Sequence, residues 1–511
     1  MTKIEKEMSD EEFFVYRMQQ IEQMKDKTNF YPNKYDVTHQ FSVLKSVASE
    51  FEAGNKGTDQ VRSAGRILTI RGHGKLYFFD IESDDVTIQL VVNKGSPEVY
   101  RVADFIRRGD IVGFQGACGK SKSGEPSVFV DDLKILSPCL RVIPSSKSGL
   151  KDSETIYRKR HLDLLVNKDS KERFLSRTKI ISLIRNFFAS KDFVEVETPM
   201  MNIIHGGAAA RPFKTYHNDL KLDLYMRIAP ELYLKKLVVG GFNRVFEIGK
   251  NFRNEGIDLT HNPEFTSVEA YFAYADYQDF MKITEELLGV IVTTMKGGLK
   301  FSYEPKKRGG EKGDVTCNKV DLDFTAPFKR LDILEEINKE LNLNLTGESI
   351  NHSLDELIKA AEARNLVIEE PKTLNRVLDK LIGEYLEPRC INPTFIVGFP
   401  TIMSPLAKED RNRKGITERF ELFVCEKEIC NSYTELNIPS VQKERFLGQI
   451  AAKEAGDLEA MPIDEDFCKA LEYALPPTGG WGMGIDRLVM YLTNAANIRD
   501  VIFFPAMRPE N

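Results

Sequence analysis

An arginine, two glutamates, an aspartate and a His-Asn-Pro triplet fall within residues 252–265, FRNEGIDLTHNPEF, with apolar alternating runs at both ends, RVFEIGKNF before and EFTSVEAYF after. The runs read as the strands of a hairpin. Their connection of about ten polar residues exceeds the two to five usual for hairpin loops, which points to a functional loop. Arg253 and Glu255 are expected to share one face of the incoming strand, and Glu269 and Tyr271 one face of the outgoing strand. An arginine can grip a phosphate with paired N–H donors, a carboxylate can accept from an amine, and His261 with Phe265 can flank a flat base. A salt-bridged edge loop is the competing reading of this segment alone.

A second stretch, RFELFVCEKEICNSYTELN at 419–437, carries Glu421 and Glu428, carboxylates able to hold Mg²⁺ through oxygen contacts that bridge to a polyphosphate. Asn431, Tyr433 and Glu435 then alternate along a strand whose other face carries Cys430, Ser432, Thr434 and Leu436. Polar groups at period two either face water or line a wet cavity, and the strand leaves both open. In a third stretch, GGWGMGIDRLVMYL at 479–492, Gly480, Gly482 and Gly484 are spaced by two, so one strand face lacks side chains and lets a planar ligand approach the backbone. Arg487 follows in the first turn of a helix, where it can reach a terminal phosphate. The G-x-G-x-G spacing, without a strand-helix-strand unit and a later acid, excludes a Rossmann site. GACGKSKSG at 116–124 imitates a P-loop but has Phe114 where a glycine is needed. Three ligand-ready elements on separate strands point to one nucleotide site.

These segments need a framework. The 511 residues exceed one core, given roughly 100–200 residues per domain. Hydrophobic residues make up 42% and charged residues 29%, and no run is long and apolar enough for a membrane span, so a soluble globular protein is expected. The start, MTKIEKEMSDEEFF, has no apolar h-region, so a secretory signal is not expected and a cytosolic address is the default. Seven cysteines without a C-x-x-C pair and seven isolated histidines argue against a disulfide framework and a zinc site. A net charge of -6 gives no overall attraction to nucleic acid, so an RNA partner must be held by a local patch.

Residues 9–27 read as a helix with Ser9 and Glu12 as a capping box and Phe14, Met18 and Ile21 on its packing face. Residues 1–60 carry 8 Lys and Arg against 11 Asp and Glu, which does not support a polybasic RNA-holding arm. From 61 to 142, five β-rich runs separated by Gly, Asp and Ser turns suit a small closed barrel of OB type, a fold that often binds single-stranded nucleic acid. Phe78 and Gln89, on consecutive strands, can offer a ring for stacking and an amide for a base edge, with Phe78 in the barrel core as the equal alternative. Residues 143–155, IPSSKSGLKDSET, read as a linker. A long helix at about 170–188 with Phe174, Ile181, Ile184 and Phe188 on one side precedes FVEVETPMM. Strands dominate 224–300 and 390–505, and 301–390, with the loop EPKKRGGEKGD and two or three helices, reads as an insertion between two parts of one sheet.

FVEVETPMM, FRNE with its following loop, and GWGMGIDR together resemble the three motifs of the class II aminoacyl-tRNA synthetases. A barrel followed by the catalytic domain resembles their aspartate, asparagine and lysine subgroup. DLYMRIAPELY, FRNEGIDLTHNPEF, EICNSYTELN and PPTGGWGMGIDR are similar over long runs to the lysine-specific, eukaryotic cytosolic branch, across about residues 60–511. The implied fold class is α+β: a helical extension at 1–60, a five-stranded OB-fold anticodon-binding barrel at 61–142, a linker at 143–155, and a class II catalytic domain at 156–511 built on an antiparallel sheet flanked by helices. The resemblance implies that lysine and ATP give lysyl-adenylate and pyrophosphate, and that lysine then passes to the 3′ end of tRNA(Lys). It implies a cytoplasmic homodimer that uses Mg²⁺ and has no membrane part.

Roles follow from the resemblance at matching positions. Arg253 on the α-phosphate of ATP and Arg487 on the γ-phosphate are the implied catalytic cations. Glu255, His261, Asn262, Phe265 and Gly484 are implied around the rest of the nucleotide, and Glu421 at ATP and, with Glu428, at Mg²⁺. Gly207, Glu231, Glu269, Tyr271, Asn431, Tyr433 and Glu435 are implied around the lysine, and Phe78, Gln89 and Asp132 on the anticodon. Asp132 stands where the family more often carries Glu. Independently of the resemblance, several carboxylates with a tyrosine suit a cationic side chain. A catalytically reduced tRNA-binding or signalling paralogue is the alternative, and intact Arg253, Glu421, Glu428 and Arg487 argue against it. The apolar face of 174–188 is expected to be exposed and to suit the dimer contact.

Overall fold

Alternating apolar residues close five strands into a barrel in the first of the two units into which the chain divides, Met1–Gly149 and Leu150–Asn511. The structure, a computed structural model, describes residues 8–26, 28–73, 76–93, 95–144, 149–305, 319–370, 372–454 and 461–509. The barrel strands are β1 (Lys56–His73), β2 (Leu76–Ser83), β3 (Val86–Asn93), β4 (Ile111–Lys120) and β5 (Pro126–Ser137), paired in the order β1-β2-β3-β5-β4. β1 is long enough to serve both seams, pairing with β4 up to Arg66 and with β2 from Arg66 onward. Phe79, Ile81, Ile88, Leu90, Val92 and Phe114 fill the interior. A helix that the sequence reading did not anticipate, Pro97–Phe105, lies between β3 and β4 with its proline in the first turn, where a missing N–H costs nothing.

The N-terminal helix runs from Asp10 to Met24 behind the Ser9–Glu12 capping box. Its inward face differs from the expected one. Phe13 and Arg17 are buried, whereas Met18 is 44% exposed. The Arg17 guanidinium donates two hydrogen bonds of 2.9 Å to the Asp110 carboxylate, so a paired charge stands where an apolar contact was expected. Phe41 and Leu44, also within 1–60, belong to the barrel's own core. Part of the linker run, 145–148, and most of EPKKRGGEKGD, 306–314, lie outside the described residues.

In the second unit eight strands form one sheet, in the order Lys329–Asp332, Thr394–Val397, Arg419–Val424, Lys427–Thr434, Thr478–Gly484, Glu264–Ala273, Arg244–Phe252 and Val194–Glu195. The pair at each end is parallel and the rest are antiparallel. One face, carrying Phe246, Val268, Ala270, Leu422, Trp481 and Met483, packs under helices Lys168–Ser190, Tyr277–Lys296 and Ile485–Leu492. Period-two alternation therefore turns Glu247, Glu269, Tyr271, Glu421, Asn431 and Tyr433 to the other face. This is the α+β architecture expected from the sequence.

Three local expectations change. Phe174, Ile184 and Phe188 are buried within this chain, so the apolar face of that helix is spent on its own core; the exposed apolar side chains nearby are Leu175, Val194, Met200, Met201 and Ile203. The incoming hairpin strand ends at Phe252, which places Arg253 and Glu255 in the loop, without a shared pleat face. The stretch 301–390 supplies an edge strand of the sheet, Lys329–Asp332, before helices that enclose a core of Ile337, Leu357, Leu378 and Leu381.

Candidate active site

The polar face of the sheet floors a cavity of about 440 Å³. Its lining includes Gly207, Glu231, Arg253, Glu255, His261, Asn262 and Phe265, and also Glu269, Tyr271, Glu421, Glu428, Asn431, Tyr433, Glu435, Gly484 and Arg487. All of the residues expected around nucleotide, metal and amino acid are thus brought to one place, and Asn431, Tyr433 and Glu435, for which the sequence left two settings open, line the cavity. Phe78, Gln89 and Asp132 belong to the barrel unit.

One cluster is built on the hairpin loop. The Arg253 amide donates to the Pro263 carbonyl at 2.9 Å and closes the loop's neck. Its guanidinium carbon lies 5.1 Å from the centre of the Phe265 ring, and its Nε is buried with no hydrogen-bond partner among the described residues. Such a donor suits an incoming anion. His261 Nδ1 lies 2.8 Å from an Asp258 carboxylate oxygen, and Arg487 Nη2 lies 3.0 Å from His261 Nε2. A guanidinium only donates, so Nε2 accepts and the imidazole proton sits on Nδ1, facing Asp258. Asn262 is buried, with Oδ1 unpartnered among the described residues, and Glu255 is exposed at the mouth.

A second cluster joins two arginines to two carboxylates. Arg487 donates to the Glu428 carbonyl at 2.5 Å, and Arg419 pairs with Glu421 while its Nε donates to Asn431 Oδ1 at 3.3 Å. Burial pushes the Glu421 carboxyl up to about 7; Arg419 pulls it back and Glu428 adds to the rise. A carboxyl in that state gains from a nearby cation.

The third cluster is acidic. Glu231, at the start of helix Glu231–Val239, accepts from Lys235 Nζ at 2.7 Å and from the Tyr433 hydroxyl at 2.6 Å. Glu435 Oε2 accepts from the same Lys235 at 2.8 Å, while Oε1 is buried without a partner among the described residues. Beside them the Tyr271 hydroxyl donates to Glu269 at 3.4 Å. Burial pushes Glu269 up to about 8, with Glu231 adding to the rise and Arg227 opposing it. Gly207 has φ +87°, and a Cβ there would stand 3.0 Å from Glu231 Cβ, so only glycine lets the chain pass the helix start this closely.

The glycine face divides into unlike positions. A Cβ on Gly480 would meet Tyr271 Cε1 at 2.8 Å and run into the Glu435 carboxylate, so this glycine makes room for the cavity's own side chains. A Cβ on Gly484 would meet nothing within 4 Å. The expected planar-ligand approach therefore fits Gly484 and does not fit Gly480.

Sequence reading passed over Lys235, Arg419 and Arg227. The last is buried and paired with Glu247. Glu231 and Lys235 are spaced i,i+4 on a helix, a pattern ordinarily read as a surface pair worth a few tenths of a kcal/mol. Here both side chains are at most 5% exposed, where stripping one partner costs about 3–5 kcal/mol.

Residues 152–508 match the family model described as tRNA synthetases class II (D, K and N), and residues 61–136 the OB-fold nucleic acid binding domain. A probable lysine--tRNA ligase, cytoplasmic, of Enterocytozoon bieneusi (strain H348) is 55% identical over 99% of this chain and 98% of its own length. Lysine--tRNA ligase cla4 of Cladosporium cladosporioides is 45% identical over 100% of this chain and 88% of its own. A lysine--tRNA ligase of Thermosipho melanesiensis (strain DSM 12029 / CIP 104789 / BI429) is 44% identical over 97% and 96%. With its barrel, its antiparallel sheet and its arginine- and glutamate-lined cavity, the chain belongs to the class II tRNA synthetases of the D, K and N group.

Proposed function

We propose that this chain is a lysine–tRNA ligase, activating L-lysine with ATP and transferring it to tRNA(Lys). The observation that carries the amino acid is the acidic cluster of Glu231, Glu269 and Glu435, where one glutamate oxygen is buried and unpartnered. A site for aspartate would need cations there, and one for asparagine would leave these carboxylates uncompensated.

In the first step the lysine carboxylate attacks the α-phosphorus and pyrophosphate leaves. In the second the 3′-hydroxyl of the terminal tRNA adenosine attacks the acyl carbon and AMP leaves. Arg253, with its unpartnered Nε, neutralises the α-phosphate as charge builds on it, and Phe265 with His261 flanks the adenine. Arg487 takes the terminal phosphate in competition with His261, its present acceptor. The Glu435 Oε1 receives the side-chain ammonium, and Glu231, which uses two of its roughly four acceptor positions, has capacity left for the α-ammonium. Glu421 and Glu428, hard oxygen donors of which Glu421 has its carboxyl raised to about 7, would hold a divalent ion of the Mg²⁺ kind, which would supply charge neutralisation at the polyphosphate. Among the described residues no group of three or more His, Cys, Asp or Glu could hold a metal.

Among the described residues no helix is long and apolar enough to cross a membrane. We infer a cytoplasmic homodimer whose contact uses the exposed Val194, Met200, Met201 and Ile203. The deciding experiment is pyrophosphate exchange across the twenty amino acids, followed by aminoacylation. Lysine alone is expected to support exchange, Glu435→Gln to abolish it with the fold intact, and Arg253→Ala to slow it by about 10²–10³-fold. No exchange with any amino acid favours the tRNA-binding paralogue instead.

A further inference from the structure

We propose that Lys235 is a positioning residue for the amino acid: its ammonium bridges Glu231 and Glu435, fixes both carboxylates in place and leaves Glu435 Oε1 to face the substrate's side-chain ammonium. The inference rests on the lysine reading of the cavity.

Lys235 is fully buried. Two of its N–H groups go to Glu231 Oε1 at 2.7 Å and Glu435 Oε2 at 2.8 Å, and its Nζ stands 5.1 Å from the centre of the Phe467 ring. Two of the ammonium's three donors are thus spent on the two carboxylates, and its charge lies over the Phe467 ring. Lys235 does not line the cavity, whereas both of its glutamate partners do. Whatever it contributes to the amino acid therefore passes through them.

That contribution is electrostatic. Glu231 and Glu435 come from a helix and a strand end some 200 residues apart, and they meet on one cation. Glu269, Tyr271 and Tyr433 face them from the sheet; Arg419 acts on Tyr433. Burial pushes Glu435 up to about 8; Lys235 opposes a rise that would otherwise go further, while Glu231 and Glu269 add to it. Without Lys235, two carboxylates in a low-dielectric pocket cannot both ionise, and one takes a proton. A protonated Glu435 presents an O–H donor to a substrate ammonium that itself only donates. With Lys235 between them, Glu435 keeps Oε1 for the side-chain ammonium and Glu231 keeps acceptor capacity for the α-ammonium.

The test is lysine-dependent pyrophosphate exchange by the full chain between pH 6.5 and 9, starting with the parent. Lys235→Met is expected to raise the lysine KM about tenfold or more at pH 7. The ATP KM stays within about twofold, and the defect shrinks toward pH 9 as rising pH returns the carboxylate charge that Lys235 had favoured. Lys235→Gln, which keeps a donor without charge, is expected to show the same pH-dependent defect and is read in its place where Lys235→Met does not fold. Lys235→Arg, which keeps the charge, is expected to hold the parent's pH profile. A lysine KM within about twofold of the parent in a folded, uncharged variant overturns the proposal, as does a loss equal at every pH, the signature of packing alone. Should the parent exchange pyrophosphate with another amino acid and not with lysine, the substrate reading has failed and the role of Lys235 falls with it.

Discussion

At Glu269 the proposed binding site is set against stability. Burial first, then Glu231, raises its carboxyl from 4.5 to about 8 in the folded chain. Below about pH 4.5 the group is protonated folded or unfolded, and its neutral form is tolerated against the cavity wall. Between there and about pH 8 the unfolded chain has released a proton that the folded chain retains, so stability falls as pH rises through this window. The loss is on the order of a few kcal/mol at the top of the window. Glu269→Gln escapes it. The substrate-free variant is expected to melt above the parent at pH 8, with the gap closing toward pH 5, which thermal unfolding across that range measures; equal melting at both ends sinks the argument. With lysine bound as proposed, the same group would make binding proton-linked, because an arriving ammonium favours the carboxylate. Parent binding heats at pH 7 should therefore differ between buffers of unlike ionisation enthalpy, and the difference should be smaller for Glu269→Gln, where Glu435 remains raised.

Among the elements, the strand Thr478–Gly484 separates space for the protein's own side chains from space for a ligand. Gly480→Ala drives a methyl against Tyr271 and Glu435, so its lysine KM should rise about tenfold while its ATP KM holds. Gly484→Ala meets nothing within 4 Å and should stay within about 0.5 kcal/mol of the parent in stability, with any kinetic effect confined to ATP. If both variants damage the lysine KM alike, the division is wrong. This strand, the hairpin and the strand Lys427–Thr434 were legible in the sequence because period-two alternation ties each side chain to a face, and one buried face fixes the other. What escaped reading has no such periodic signal. The edge strand Lys329–Asp332 is four residues long and mostly charged, and Arg17 occupies an inward helix position that a pattern of apolar residues skips. Lys235 wears the spacing of a surface pair, and only the arrival of Glu435 from 200 residues away makes it a core cation. Long-range partners of buried charges are invisible to local pattern, whereas faces are not.

Across the whole molecule, a chain of net charge -6 must hold RNA through local chemistry, and the barrel offers it on the outside of β2 and β3. Phe79 and Ile81 point into the core, so Phe78 points out; β2 pairs Phe78 with Val91 and Asp80 with Gln89, which puts Phe78 and Gln89 on one face. That geometry leaves the ring free to stack. Gln89 is more constrained, at 6% exposed with its Oε1 accepting from Ser127 at 3.1 Å, which leaves its amide nitrogen as the donor for the proposed contact with a base. Asp132 is half-exposed and lies 3.6 Å from Lys134, a partner that a base can displace. Base stacking is worth about 1–3 kcal/mol, so Phe78→Ala should raise the tRNA KM in aminoacylation by about 10–100-fold. Pyrophosphate exchange needs no tRNA, and every residue assigned to it lies in the unit Leu150–Asn511, so the same variant should exchange at the parent rate. Measuring both reactions on one preparation separates the cases. Loss of aminoacylation alone assigns the outer face to RNA recognition, whereas a matching loss of exchange means that the substitution acts through folding and that the stacking role is mistaken.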